Sequence, residues 1–357
     1  MEKINLLSQV VLQFLDNATP FHEDLSAVVF TPDQHLWLGS DETTSLERLE
    51  QIDAHTFGNH QTIQLGELID LPASADEEID IEGLTYADYY LWLVGSHSTK
   101  RKQPKSDKKD KKNLKRLATI QSEANRYILA RIPLINGELF PSCPHPEQRD
   151  QKLTAAKLQL TEKGNILMDA LESDPHLSPF ILSRIPSKDN GFDIEGIAIC
   201  GQKVYLGLRG PVLRGWAIIL EIEVTTSGES LLDLKKIGAE GQLYKKHFLK
   251  LGGLGIRDLT FEGQDLLILA GPTMDLDGPV KLFRVKNGLN LPEDSLVWEP
   301  EVVLSIPHGE GKHHAEGMTP FAPIAQHPSV LVVYDSPDET TILNGGTGVI
   351  ADVFSLD

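Results

Sequence analysis

The chain has 357 residues, is 40% hydrophobic and carries a formal charge of −19. That length can bury a large core, and the negative charge excludes a general nucleic-acid binder, because no net positive field gathers phosphates. Two cysteines, Cys143 and Cys200, give no disulfide framework and point to a reduced, cytoplasmic setting, while no run of about 18 apolar residues marks a membrane span.

The opening stretch carries Glu2 and has neither a net basic start nor a small-x-small cleavage site, so it does not read as a secretory signal. Residues 6–15 read instead as a first strand. A short phrase then recurs five times: Asp24-Leu-Ser-Ala-Val28, Asp80-Ile-Glu-Gly-Leu84, Asp193-Ile-Glu-Gly-Ile197, Gly255-Ile-Arg-Asp-Leu259 and His314-Ala-Glu-Gly-Met318. Its third positions are 26, 82, 195, 257 and 316, separated by 56, 113, 62 and 59 residues. An apolar run follows each copy, as in Leu36-Trp-Leu38, Leu91-Trp-Leu93 and Val204-Tyr-Leu206. A period of this size with strand-like units predicts an all-β repeat architecture, a β-propeller.

In the first repeat, strands are expected at 26–30, 36–39, 46–52 and 62–65, and in the fourth at 259–261, 266–270, 280–285 and 296–304. The fifth shows only three strands, ending at 349–356. The N-terminal strand would supply its fourth and close the ring, leaving no exposed edge. The expectation is one domain over 1–357 with five blades, or six if one blade lacks the motif.

The long second gap is read as an insertion at 98–190 within the second blade region. It holds a helical-looking 114–124, a strand at 127–132 and a short amphipathic helix at 165–172. Residues 100–116, Lys-Arg-Lys-Gln-Pro-Lys-Ser-Asp-Lys-Lys-Asp-Lys-Lys-Asn-Leu-Lys-Arg, have ten basic residues against two acidic ones, leaving the rest of the chain near −27. Such a stretch reads as a solvated, flexible loop or as an arm for an anionic partner or polyphosphate substrate.

In a meander the start of each first strand and the end of the second lie at the same end of the blade. Repetition around a ring therefore gathers Asp80, Glu82, Asp193, Glu195, Arg257, His314 and Glu316 with His97, Arg209 and Arg214 at one mouth. Two readings of the repeated acids stay open. They brace neighbouring strands through backbone amides, or they hold a hard cation such as calcium, since several unpaired carboxylates cannot all stay ionised in one channel. Arg257 replaces the repeated acid and would be a ligand group, with Arg209 or Arg214 extending the basic side. His97 and His314 are candidate proton carriers. Asp275 and Asp277 form a two-acid turn. Gly252-Gly-Leu-Gly255 and Gly345-Gly-Thr-Gly348 lack the context of a phosphate loop, so no nucleotide cofactor is expected.

The order of Leu36-Trp-Leu-Gly-Ser-Asp-Glu42, Asp80-Ile-Glu-Gly83, Asn190-Gly-Phe-Asp-Ile-Glu-Gly196, Leu206-Gly-Leu-Arg-Gly-Pro-Val-Leu-Arg-Gly-Trp216 and His314-Ala-Glu-Gly317 resembles a bacterial domain-of-unknown-function family, common in cyanobacteria and proteobacteria, over nearly the whole chain. That resemblance implies no activity. The Asp-x-Glu-Gly strands are more distantly similar to those of esterase-like phytase and gluconolactonase/strictosidine-synthase-like propellers, several of which hold a divalent ion at the channel. The lactonase metal ligands cannot be matched position by position.

The functional expectation is a divalent-cation-assisted hydrolase of a phosphoester or lactone-like ester. Glu82, Glu195 and Glu316, with Asp80 and Asp193, would hold calcium or another divalent ion. Arg257 with Arg209 or Arg214 would steady developing charge, and His97 or His314 would move the proton. The competing expectation is a non-catalytic ligand- or protein-binding scaffold. The substrate would be a small anion or ester, and the oligomeric state is left open.

Overall fold

A computed structural model describes residues 5–15, 23–74, 77–148, 150–274, 276–324 and 327–357. Glu2 and Asp275, singled out above, lie outside them. The described chain is all-β with propeller-like curled sheets, about 50% strand and 10% helix. Among the described residues, no helix is long and apolar enough to cross a membrane.

Each motif copy opens an antiparallel meander. In the first repeat, Leu25–Phe30, His35–Ser40, Ser45–Asp53 and Thr56–Gln64 pair in succession. The fourth repeat runs Gly255–Glu262, Asp265–Gly271, Val280–Val285 and Glu301–Ile306. In the fifth, His314–Pro320, Ser329–Asp335 and Gly348–Ser355 are completed by the N-terminal strand Leu6–Gln13, which pairs antiparallel with Gly348–Ser355 as its place in the sequence predicts. That same strand lies parallel to Thr56-Phe57 of the first repeat, so it also ties the outer edges of first and last repeats together.

The second repeat corrects the insertion boundaries. Leu129–Ile135 pairs with Tyr90–Gly95, and Ala156–Leu158 adds beyond it, so part of 98–190 supplies regular strands of the meander. The alternation Leu129-Ala-Arg-Ile-Pro-Leu-Ile135 carries strand propensity but no copy of the motif, because motifs mark only first strands. The lysine-rich stretch is also not a plain flexible loop. Asp110–Leu117 is a helix without buried residues. The Asn113 side chain clamps the backbone of Lys105 and Lys108 at its base, and Asp110 in the first turn with Lys115 and Arg116 in the last suit the helix dipole.

Every second strand is buried on both faces; Tyr90–Gly95, for instance, has no exposed position. This follows from where the cores lie, which is between consecutive repeats. Trp37 and Leu46 pack with Leu84 and Leu91; Trp92 and Val94 with Ile197 and Leu206; Tyr205 and Ile219 with Ile256 and Ile268; Leu267 and Leu282 with Met318 and Val332. The last core joins Leu331 and Val353 to Leu25 and Leu36, with Val10 and Leu12 of the N-terminal strand between them. First strands therefore touch in a closed cycle, 25–30 beside 81–87, then 193–200, 255–262, 314–320 and back to 25–30.

That contact is close because of the glycine at the fourth motif position. A Cβ at Gly196 would lie 2.9 Å from the Asp258 Cα and 3.0 Å from the Leu259 amide nitrogen of the next first strand. Gly196→Ala is expected to cost about 1–3 kcal/mol, read as a lower urea midpoint with an unchanged slope. An unmoved midpoint would mean that these strands can part freely.

Candidate functional site

In all five first strands the ladder skips one residue, and that residue is the third motif position. The register jumps between Leu25 and Ala27, Ile81 and Gly83, Ile194 and Gly196, Ile256 and Asp258, and Ala315 and Gly317. A bulge leaves the extra residue unpaired and re-aims its side chain. Ser26, Glu82, Glu195, Arg257 and Glu316 are thereby turned out of their ladders toward one another.

The expected divide between bracing and ligand groups falls between different positions. Ser26 donates to the Ile81 carbonyl, and Asp258 accepts from the amides of Leu259 and Met318, both at 2.8 Å; these two tie neighbouring first strands. Glu195 and Glu316 face arginines instead. Arg257 Nη1 lies 2.6 Å from Glu316 Oε1 and 3.2 Å from Glu195 Oε2, and Arg209 Nη1 lies 2.6 Å from Glu195 Oε1 and 3.7 Å from Asp193. Backbone carbonyls hold both guanidinium groups from behind, Thr273 for Arg209 and Pro272 for Arg257, each at 3.1 Å.

Asp80, in left-handed backbone at φ 59°, pairs with Arg126. This arginine comes from the short 3-10 turn Ala124–Tyr127 inside the expected insertion, and Ser98 accepts a further bond from it at 3.1 Å. Arg126 is the residue of this site to which the sequence did not point. The repeated acids signalled that partners must exist, but a lone arginine outside the motif carries no mark of its destination.

Glu82 has no ion pair or hydrogen bond among the described residues. Burial, then Glu195, Asp80, Asp193 and Glu316, push its carboxyl well above the usual range. Asp193 is raised by burial and Glu195. Burial also raises Glu316, against the opposing pull of Arg257, to about 7. Burial alone would lower Arg209, but Glu195 and Asp193 hold it charged and move it above its ordinary value. Across the mouth, Asp24 is pushed to about 6 by burial, Glu42 and Asp335, and Asp41 is raised by burial, Asp80 and Glu316, with its Oδ1 buried and unbonded.

Three of the expected site residues need correction or refinement. Arg214 is exposed, in left-handed backbone, and has no ion pair among the described residues; its loop turns outward after Pro211. His97 is buried with both ring nitrogens engaged, Nδ1 with the Gly95 carbonyl at 2.7 Å and Nε2 with the Asn165 amide at 2.7 Å. Burial lowers it to about 4, so it is a neutral structural group rather than a proton carrier. His314 does stand at the mouth, 3.8 Å from both Asp335 and Asp277, and the Asp335 carboxylate raises its pKa. Among the described residues, no three His, Cys, Asp or Glu side chains meet in a way that could hold a metal ion.

Above the arginines opens a cavity of about 540 Å³, lined by Arg209, Arg257, Glu316, His314, Asp335 and Lys188 among others. At the far end of the first strands lies a separate apolar opening of about 360 Å³, where Phe30, Tyr86, Ile199, Phe261 and Pro320 meet. The motif acids and their arginines thus gather at one end, while the lining of this second opening is uncharged.

The fold and this site define an all-β, propeller-like protein with a ring of buried acids, partly compensated by arginines, at one mouth. The chain belongs to the family described as "Protein of unknown function (DUF3616)", whose model matches residues 24–352. No curated protein matches it. Among solved structures it is similar to the PQQ-bound aldose sugar dehydrogenase of Streptomyces coelicolor, at 13% identity, TM-score 0.41, over 99% of this chain and 98% of that one. It is also similar to virginiamycin B lyase from Staphylococcus aureus, at 9% identity, TM-score 0.37, over 97% and 99%. These are likenesses of β architecture and say nothing of this chain's chemistry.

Two measurements test the ring. Arg126→Met leaves Asp80 buried beside Glu82 without its cation and is expected to cost about 3 kcal/mol at neutral pH, of which adding Asp80→Asn recovers more than half. Glu82→Gln copies the protonated acid. A carboxyl raised in the fold binds its proton more tightly folded than unfolded, so its favourable contribution is complete below the unfolded pKa and is lost as pH rises toward the folded one. The variant should therefore melt like wild type near pH 4 and above it at pH 8; parallel melting curves at both pH values would remove the neutral-acid assignment.

Proposed function

We propose that the protein is a five-bladed propeller whose arginine-lined mouth hydrolyses a small anionic ester or phosphoester. One observation carries this reading. Glu316, a carboxyl poised near neutrality, sits in a 540 Å³ cavity 2.6 Å from Arg257, which shares Glu195 with Arg209. Two fixed cations beside a titrating acid suit a reaction that builds negative charge.

In this reading Arg257 and Arg209 receive the anionic oxygens. Glu316, deprotonated, takes a proton from water as the water oxygen bonds to the carbonyl carbon or phosphorus. The ester bond breaks, and its departing oxygen takes a proton from His314. The arginines stabilise the charge that develops between these steps, which preorganised donors in a dry site do well. They also neutralise Glu195 and Glu316, as Arg126 does Asp80, the task first assigned to a divalent ion. A cation such as calcium keeps a place in the proposal only on the opposite side, where Asp24, Asp41 and Asp335 repel one another and one Asp41 oxygen is buried and unbonded. Among the described residues no three such side chains are close enough there to hold it, so the ion itself would have to draw them together.

The test is a screen of chromogenic phosphoesters, esters and lactones with and without calcium. Activity should rise with pH through about 7 as Glu316 ionises. Glu316→Gln should lower kcat by about 100-fold or more, and Arg257→Lys should lower kcat/KM by about as much. If calcium acts at the acidic side, wild type gains melting temperature with it and Asp41→Asn does not. No turnover across all substrate classes, with a melting temperature unmoved by any divalent ion, would favour the scaffold reading, in which Ser26 and Asp258 show what the ring braces.

A further inference from the structure

We propose that the lysine-rich excursion is an electrostatic collar on the mouth and that the molecule taken up there is a small polyanion with two or more negative charges. This rests on the reading of the mouth as the substrate site and names its substrate class.

The excursion is rooted at the mouth. Gln103 lines the same cavity as Arg209, Arg257 and Lys188. The Gln103 carbonyl accepts from Arg116 Nε at 2.5 Å, and Arg101 Nη1 donates to the Leu117 carbonyl, so the C-terminal end of the helix Asp110–Leu117 is fastened to the residue at the rim. Arg101 also lies 2.7 Å from Asp189, and Asp189 bridges in backbone to Met274, another cavity residue. Lys100 is spent on Glu123 at 3.0 Å and on Glu78.

Beyond this root the charge is unspent. Among the described residues Lys102, Lys105, Lys108, Lys109, Lys111, Lys112 and Lys115 have no carboxylate within ion-pair distance, although the chain carries 52 acidic residues. A packed helix with no buried side chain contributes little to a core, so its sequence is not explained by stability. A cluster of like charge beside a cleft raises the local concentration of the opposite charge and accelerates its capture, an effect that reaches about one Debye length. The collar therefore favours an entering anion in a protein whose remaining field repels it. At the floor, Lys188 has no carboxylate within ion-pair distance among the described residues, while Arg209 and Arg257, already paired with Glu195 and Glu316, would share their remaining donors with the entering anion.

Inorganic pyrophosphate is the probe, titrated calorimetrically into the full chain, with acetate as the monoanion. The comparison variant carries Lys109→Gln, Lys111→Gln, Lys112→Gln and Lys115→Gln, all exposed positions, and its melting temperature should match wild type. At low ionic strength the wild type should bind pyrophosphate roughly 10-fold more tightly than this variant, with the difference closing in high salt; acetate should not distinguish the two. Arg257→Gln should weaken pyrophosphate binding in both backgrounds. Equal binding by wild type and the lysine variant overturns the collar while leaving the mouth in place if Arg257→Gln still weakens it. Failure of Arg257→Gln to matter, or no pyrophosphate binding at all, removes the mouth as the anion site. A short oligonucleotide that outcompetes pyrophosphate and depends on the lysines but not on Arg257 would show that the excursion serves a macromolecule, and would also overturn the proposal.

Discussion

Close contact between neighbouring first strands is the constraint on which the rest depends. Glycines at 83, 196 and 317 let one strand backbone rest on the next, and the bulge beside each turns one side chain out of its ladder at the same height. Once those side chains are carboxylates, they meet in a buried place where lone charges are costly. Arg257 at the fourth copy, with Arg209 one strand away, is the local answer. It bridges Glu195 and Glu316 from the two flanking repeats. Charge balance therefore couples three consecutive repeats, in addition to their shared apolar cores.

The balance is incomplete in number and in position: Asp80, Glu82, Asp193, Glu195 and Glu316 share three arginines. Asp80 has Arg126, Glu195 has two arginines, and Glu82 has none among the described residues. Burial, and then its acidic neighbours, push the unpaired acid well above the usual carboxylate range, while Glu316, half compensated, is raised to about 7. Glutamates that look alike in the sequence, Glu82 and Glu316, thus meet different surroundings, one without a cation and one beside Arg257. Acid–base chemistry needs that inequality, which identical blades could not supply.

Left-handed backbone at Asp80, His97, His313 and Ser336 also falls at this end of the strands. These non-glycine residues are held there by contacts such as His313 stacked 3.8 Å from Tyr334 and the Ser336 amide bonded to the Glu23 carbonyl at 2.7 Å. Turns that place charged residues at the mouth are therefore built against backbone preference, as is common where geometry serves a site.

The repeat spacing and the alternating apolar strands were enough to read the meander, the closure by Leu6–Gln13 and the gathering of Glu82, Glu195, Arg257 and Glu316, because each depends on local periodicity and on a motif repeated in register. Two things escaped it. The strand read at 127–132 is there as Leu129–Ile135, but its place as third strand of the second repeat and the strand Ala156–Leu158 were hidden in the long gap, since third and fourth strands carry no motif. The partner of Asp80 was hidden too, since Arg126 reaches it through a turn with no fixed spacing. Equally, nothing local separates His97 from His314. Only the fold engages both ring nitrogens of the first, with Gly95 and Asn165, and sets the second at the arginine-lined cavity, because burial is decided by which distant segment comes to lie against a residue.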